Sequence, residues 1–264
     1  MIPCRLCGAA TRPLFARRVL GRYDVAFHLC AGCGLTQTDE PTWLPEAYAD
    51  AVHPTDTGIL ARNLGARRVA ATFLHLMGVR AEPCLDYAGG YGIFTRLMRD
   101  AGFDFYWTDP FAKNVLAPGF EWESGPGVAG TKPRAVTAFE VLEHWIRPRE
   151  EFGKVAAYGA DWILTSTERV PGESPPADWP YLSVESGQHV AFYRADTLAR
   201  LGREGGYPHV IAGPFFQIFA RRPIPTARWR LAVRLGALTF PLVRKLRPSF
   251  TVSDCERIRA RLRG

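Results

Sequence analysis

The sequence predicts an α/β protein built on an open nucleotide-binding sheet, with a small zinc-binding knuckle before it and a basic helical tail after it. Three observations carry this. Residues Cys84 to Asp109 read as strand, glycine turn, helix, second strand and terminal acid, the first half of a nucleotide-binding α/β domain. Two Cys-x-x-Cys pairs, Cys4/Cys7 and Cys30/Cys33, stand near the start of the chain at the spacing of a four-thiolate metal site. From Arg221 onward there are 12 Lys/Arg against 2 Asp/Glu, which leaves residues 1–220 with 21 against 24 in a chain of net charge +7.

A chain of 264 residues with 47 % apolar content has material for one sizeable core and a small appendage. Met1-Ile2-Pro3-Cys4 has neither the basic start nor the apolar stretch of a signal peptide. No apolar run approaches the roughly 20 residues of a membrane helix. The expectation is a cytoplasmic protein, where paired cysteines bind metal more often than they form disulfides.

Residues 1–38 form the knuckle module. Each cysteine pair is followed by glycine, Gly8 and Gly34, which lets the knuckle turn so that backbone amides face the sulfurs. Four thiolates fill a tetrahedron and leave no open position, so zinc on Cys4, Cys7, Cys30 and Cys33 is expected to be structural. Cys84 and Cys255 read as packing residues rather than nucleophiles. Arg5, Arg12, Arg17, Arg18 and Arg22 lack an interleaved aromatic run, and the body of the chain is mildly acidic. A general nucleic-acid binder is therefore not expected.

Residues 39–80 connect the knuckle to the sheet. Leu60, Leu64, Val69, Phe73 and Leu76 recur at helical spacing between Gly58 and Met77. Residues 81–220 form the nucleotide-binding domain. Cys84 to Tyr87 is a strand ending in Ala88-Gly89-Gly90-Tyr91-Gly92. Ile93, Phe94, Leu97, Met98 and Ala101 then take helical spacing up to a stop at Gly102. Phe103 to Trp107 delivers Asp109 to the sheet edge, where a carboxylate accepts from two ribose hydroxyls. Phe120 to Trp122 is a short strand, followed by a Gly/Pro loop through Pro133. Ala135 to Phe139 is a buried strand, Pro148 to Tyr158 a helix, and Trp162 to Ser166 a strand. Thr167 to His189 is a long loop with Trp179 and Tyr181, and Arg194 to Leu201 a helix stopped by Gly202. Val210 to Ala212 and Phe215 to Ala220 make a closing antiparallel hairpin. In residues 221–264, Trp229 to Val243 mixes apolar residues with Arg230 and Arg234 and is interrupted by Pro241 and Pro248, and Ser253-x-x-Glu256 is a capping box opening a basic helix.

Glu140, Glu143 and His144 fall just past a strand end, where open α/β sheets bind ligands. Such a group suits acid–base chemistry or a hard divalent ion. The glycine segment lacks the third glycine of a dinucleotide fingerprint, since Thr95 stands there.

Asp86-x-Ala88-x-Gly90-x-Gly92 resembles motif I of class I S-adenosylmethionine methyltransferases, with Ala88 in place of the first glycine. The resemblance implies that Asp86 holds the methionine end, that Ala88, Gly90 and Gly92 lie against the cofactor, and that the segment before the motif, with Tyr48, Asp56 and Asn63, forms a lid. Glu140-x-x-Glu143-His144, together with Gly187-Gln188-His189, resembles the magnesium site of ubiquinone-pathway and small-RNA O-methyltransferases. It implies Glu140, Glu143, His144 and His189 as ligands. With the knuckle, the chain is similar to bacterial class I methyltransferases related to the sugar C-methyltransferases, over about residues 1–220. The implied fold is the Rossmann-like methyltransferase sheet.

The expected reaction is O-methylation of a saccharide or similar polyol, with Trp179, Tyr181 and Tyr193 stacking on its apolar faces. Two alternatives stay open: a C-methyltransferase of a nucleotide-linked sugar using His144 as base, and a zinc-ribbon nucleic-acid binder. For the basic tail, peripheral contact with an anionic membrane and a packing or dimer role both stay open.

Overall fold

The computed structural model describes residues 2–49, 53–125, 128 and 130–263. In chain order its elements are β1 (Thr11–Val19), β2 (Tyr23–Cys30), β3 (Thr36–Thr38), α1 (Leu44–Ala47), α2 (Ile59–Leu76), β4 (Cys84–Tyr87), α3 (Ile93–Asp100), β5 (Phe105–Thr108) and β6 (Ala135–Phe139). They continue with α4 (Pro148–Ala157), β7 (Trp162–Ser166), β8 (Ala191–Phe192), α5 (Ala195–Glu204), β9 (His209–Ala212), β10 (Phe216–Ala220), α6 (Thr226–Lys245) and α7 (Thr251–Arg263). The larger sheet has the order β5-β4-β6-β7-β10-β9 and the smaller β1-β2-β3-β8. This is the open α/β sheet with a final antiparallel hairpin that the sequence predicts. The chain divides into two compact units.

One unit comprises Gly58–Ala138, Tyr158–Trp162 and Ile224–Gly264. Strand β4 pairs in parallel with β5 on one side and β6 on the other, with Asp86 opposite Trp107 and Thr137. Cys84, Leu85, Phe105, Ala135 and Val136 are fully buried, as expected for parallel strands covered on both faces. Burial pushes the Cys84 thiol up to about 12, which suits a packing residue. The expected strand at Phe120 to Trp122 is reduced to a single bridge, Trp107 to Glu121, and the Gly/Pro loop after it falls partly on residues 126, 127 and 129, outside the described residues. Gly102 ends the turn after α3 at φ +76°, where a Cβ would lie 2.4 Å from the Pro248 carbonyl oxygen.

The tail is part of this unit's core. Helix α6 lies along α2, and Phe73 meets Trp229 edge-on at 5.4 Å. Gly236 allows the approach, since a Cβ there would already be 3.3 Å from the Arg68 backbone. Pro241 sits inside α6 rather than interrupting it. Helix α7 starts at Thr251, so Ser253 is inside the helix and does not cap it. Its hydroxyl donates to the Phe250 carbonyl, and the Ser249 hydroxyl accepts from the Thr251 amide instead. This register aims Asp254 at Arg99: Nε and Nη2 donate to the two carboxylate oxygens at 2.7 and 2.8 Å. The guanidinium also lies 3.7 Å over the Phe120 ring.

The other unit comprises Met1–Thr57, Phe139–Ala157 and Ile163–Pro223. Its small sheet is a hairpin of β1 and β2 extended by β3, and its fourth strand, β8, comes from far along the chain. Phe27, Trp43, Trp179, Leu182, Val190 and Phe192 share one buried cluster. The loop before β8 is thereby packed, with a short 3₁₀ turn at Pro180–Leu182. Helix α5 runs past Gly202 to Glu204. Gly202 is a point of close packing, because a Cβ there would lie 2.6 Å from Val210 and 2.7 Å from the Tyr207 carbonyl oxygen.

Candidate active site

The glycine segment after β4 is shaped by three left-handed residues, Ala88 (φ +54°), Gly90 (φ +54°) and Gly92 (φ +82°). Glycine adopts this conformation at little cost, whereas alanine is strained by about 1–2 kcal/mol. Gly89 is fixed by crowding instead, since a Cβ would lie 2.6 Å from Asp86 Oδ2 and 2.7 Å from the Trp107 ring. At Gly90 a Cβ would meet nothing within 4 Å, so the backbone there faces open space, as close approach by a ligand requires.

Asp86 is 2 % exposed. The Thr95 hydroxyl donates to its Oδ2 at 2.9 Å and the Thr137 hydroxyl to its Oδ1 at 3.0 Å. Burial pushes its carboxyl up to about 7, the two hydroxyls only partly opposing that rise. Asp109 stands at the end of β5, where the sequence places it. Its Oδ2 accepts from the Gly90 amide at 2.9 Å, and its Oδ1 from the Phe111 and Ala112 amides at 2.8 and 2.9 Å. It therefore ties the glycine loop to the neighbouring strand end. Trp107 Nε1 adds a bond to the Gly90 carbonyl at 2.9 Å. Thr137 and Trp107 were not legible as site residues because their roles depend on strand register, and Thr95 because its role depends on how α3 turns back over β4.

In the other unit, Glu143, His144 and His189 bring their ligand atoms within 4.8 Å of one another. Glu143 is fully buried, and its Oε1 accepts from the Tyr181 hydroxyl at 2.8 Å. The Nδ1 of His189 lies 2.7 Å from the Tyr181 carbonyl oxygen, and that of His144 3.1 Å from the Gln188 carbonyl oxygen. Carbonyls only accept, so Nδ1 is the donor in each of these two contacts. The Tyr48 hydroxyl is 2.9 Å from the same His144 nitrogen. Burial, followed by the Glu143 and Glu140 charges, holds the Tyr181 phenol well above its ordinary range, so it remains a donor.

Glu140 is not among the three that converge. It follows β6 at φ +55°. Its amide lies 2.9 Å from Ser166 Oγ, and that hydroxyl donates to its Oε1 at 2.6 Å. Among the expected stacking residues, Tyr193 is enclosed. It is 0 % exposed and its hydroxyl donates to the Leu142 carbonyl at 2.7 Å, so it packs the interior and offers no face to an acceptor. Trp179 is buried in the aromatic cluster, with Nε1 donating to Glu168 at 3.2 Å. Tyr181 is half-buried beside the His189 ring, 4.7 Å between centroids.

Cys4, Cys7, Cys30 and Cys33 place their sulfurs within 4.8 Å of one another, with Cys4–Cys33 at 3.5 Å and Cys7–Cys30 at 3.4 Å. A tetrahedron of thiolates about 2.3 Å from zinc has edges of about 3.8 Å, so the four residues fit such an ion. The Cys33 thiol donating to it pulls Cys4 down and is itself pushed up, while burial raises Cys30, so a bound metal would take the place of the protons these thiols share. The Gly187-Gln188-His189 turn is clasped by the same unit: Trp43 Nε1 donates to the Gly187 carbonyl at 2.8 Å, and Gln188 Nε2 to the Ala47 carbonyl at 2.8 Å.

The family model described as a methyltransferase domain matches residues 56–210. No curated protein matches the chain in sequence. Among solved structures, the chain is similar to a 1,6-didemethyltoxoflavin-N1-methyltransferase of Burkholderia thailandensis, with 14 % identity over 81 % of this chain and 100 % of that one (TM-score 0.49). It is also similar to magnesium protoporphyrin IX methyltransferase of Synechocystis PCC 6803, with 16 % identity over 67 % and 90 % of the two chains (TM-score 0.42). A third is an O-methyltransferase family protein of Burkholderia thailandensis, 16 % identical over 69 % and 68 % (TM-score 0.43). With the family model spanning the glycine segment, Asp86, Asp109 and the Glu143/His144/His189 group, the chain belongs to the methyltransferase-domain family and is an S-adenosylmethionine-dependent methyltransferase.

Proposed function

We propose that the protein transfers the methyl group of S-adenosylmethionine to a hydroxyl of a small polyol, a saccharide being the preferred class. Asp86, Gly90, Gly92 and Asp109 would hold the cofactor, with Asp86 toward its ammonium and Asp109 toward its ribose. Asp86 and Thr137 lie opposite one another in paired strands, and the chain reaches Glu140 three residues later. Strand ends are where open α/β sheets carry ligands.

The observation that carries the reading is the convergence of Glu143, His144 and His189 within 4.8 Å. A divalent ion bound there would lower the pKa of an acceptor hydroxyl. The chain's own contribution is orientation. The Tyr181 and Gln188 carbonyls fix the two imidazoles, and the Tyr181 hydroxyl fixes Glu143. Two imidazoles and one carboxylate are poorer in oxygen than magnesium usually takes, so manganese belongs in the same test. Zinc on the four cysteines would be structural.

The imidazole of His144 also suits proton abstraction from carbon in a C-methyltransferase of a nucleotide-linked sugar. Methyl transfer to a panel of sugars and polyols, with chelator and with added magnesium or manganese, separates the readings. Loss of activity with chelator and recovery with either ion supports O-methylation. Chelator-insensitive transfer with solvent deuterium exchange at the acceptor carbon supports the alternative. Absence of S-adenosylmethionine binding overturns both.

A further inference from the structure

Helix α6 buries Trp229, Ala232, Gly236, Phe240 and Val243 and turns a second apolar stripe outward. Leu231, Leu235, Leu238 and Leu242, with the capping Leu246, follow one another at three- or four-residue spacing and are 36, 45, 73, 62 and 70 % exposed. Five large aliphatic side chains in one line exceed the scattered exposure of an ordinary surface. Arg230, Arg234, Arg244 and Lys245 are exposed along the same helix. No Asp or Glu stands anywhere from Arg221 to Ser253.

The charge selects the occupant. A second copy of α6 would bring two wholly basic helices side by side, with no acid on either to pair across the seam. An anionic lipid surface presents the opposite sign and takes leucines at the level of the acyl chains. No helix of the described residues is long and apolar enough to cross a membrane, so α6 suits lying in the interface. A shallow surface depression lined by Phe240, Pro241, Arg244 and Lys245 lies further round the same helix. The Arg67 guanidinium stacks on Phe240 at 4.6 Å. Arg244 and Lys245 are exposed at the edge of this depression, where a phosphate headgroup can meet their charges.

We propose that the outer face of α6 docks the protein on an anionic membrane surface, with Leu235, Leu238 and Leu242 inserted at the interface and a lipid phosphate at Arg244 and Lys245. The test is flotation of the full chain with vesicles of phosphatidylcholine alone and of phosphatidylcholine with phosphatidylserine, alongside light scattering. The anionic vesicles are expected to bind at least about tenfold more protein, with binding falling as salt is raised. Leu238→Ser/Leu242→Ser should lose about tenfold, and Arg244→Gln/Lys245→Gln several-fold, with circular dichroism and S-adenosylmethionine binding unchanged. Equal or absent binding to both vesicle types overturns the proposal, as does undiminished binding by the leucine variant. So does a dimer in free solution that the leucine variant dissociates, which would assign the face to a second copy.

Discussion

Phe192 pairs with Thr36 across the small antiparallel sheet, so the strand that follows His189 is built onto the module that carries the four cysteines. Thr197, just beyond, donates its hydroxyl to the Cys33 carbonyl at 2.7 Å. On the proposed function, the knuckle thereby supports the residues that would meet the acceptor. Cys33→Ser is expected to lower methyl transfer at least about tenfold, the usual scale for losing the support of a ligand. S-adenosylmethionine affinity should change less than about twofold, because Asp86 and Asp109 belong to the other unit. Turnover and calorimetric titration of the same preparation, with its zinc content, check both halves.

Ala88 holds a left-handed backbone at φ +54°. Ala88→Gly relieves about 1–2 kcal/mol of strain and loses about 0.4–1 kcal/mol to the freer unfolded chain. The expected net gain is about 0.5–1 kcal/mol, a rise in melting temperature of roughly 2 °C. Ala88→Val should lower it, since a β-branched residue is worse at positive φ. Thermal unfolding of the three proteins decides.

Asp86 gives a pH dependence with a defined sign. Its folded carboxyl titrates near 7 because it is buried, against about 3.9 when unfolded. The folded state therefore keeps a proton that the unfolded state has lost, and this contribution to stability is fully present below about 4 and lost as pH rises through 7. Asp86→Asn should flatten the fall over that window. A cationic ligand favours the ionised carboxylate, so S-adenosylmethionine should bind the wild type with release of up to one proton at pH 6 and almost none at pH 8.5. Calorimetry in buffers of different ionisation enthalpy reads the proton count, and Asp86→Asn should show none at either pH.

Arg99 and Asp254 form a buried bidentate pair, their side chains 2 and 4 % exposed. Arg99 also holds Asp104 at 2.6 Å and Asp254 also holds Arg96 at 2.8 Å, so removing one partner leaves the other still paired and costs about 1.5–3 kcal/mol, the range for a hydrogen bond to a charged group. Asp254→Ala should destabilise by that amount and Arg99→Met/Asp254→Leu by much less. Denaturant unfolding of single and double variants measures the coupling.

The sequence by itself determined the parts whose signal is local. Glycine punctuation and the change from strand to helical spacing marked β4, α3 and β5. The cysteine spacing marked four sulfurs that do come together, and the run from Ala135 to His144 placed Glu143 and His144 at a strand end. Tertiary structure decided whatever depends on partners distant in the chain. Thr137 closes on Asp86 through the β4–β6 register and Thr95 through the way α3 turns back over β4, and Ser166 reaches Glu140 from a different strand. Tyr193 looks like an accessible aromatic in sequence and is enclosed in the fold. Gly202 and Pro241, read as breakers, lie inside helices because close packing on Val210 and a helix already held along α2 outweigh local propensity. The start of α7 moved for the same reason: the Arg99 ion pair on Asp254 and burial against α3 fixed a register that the local capping signal alone could not.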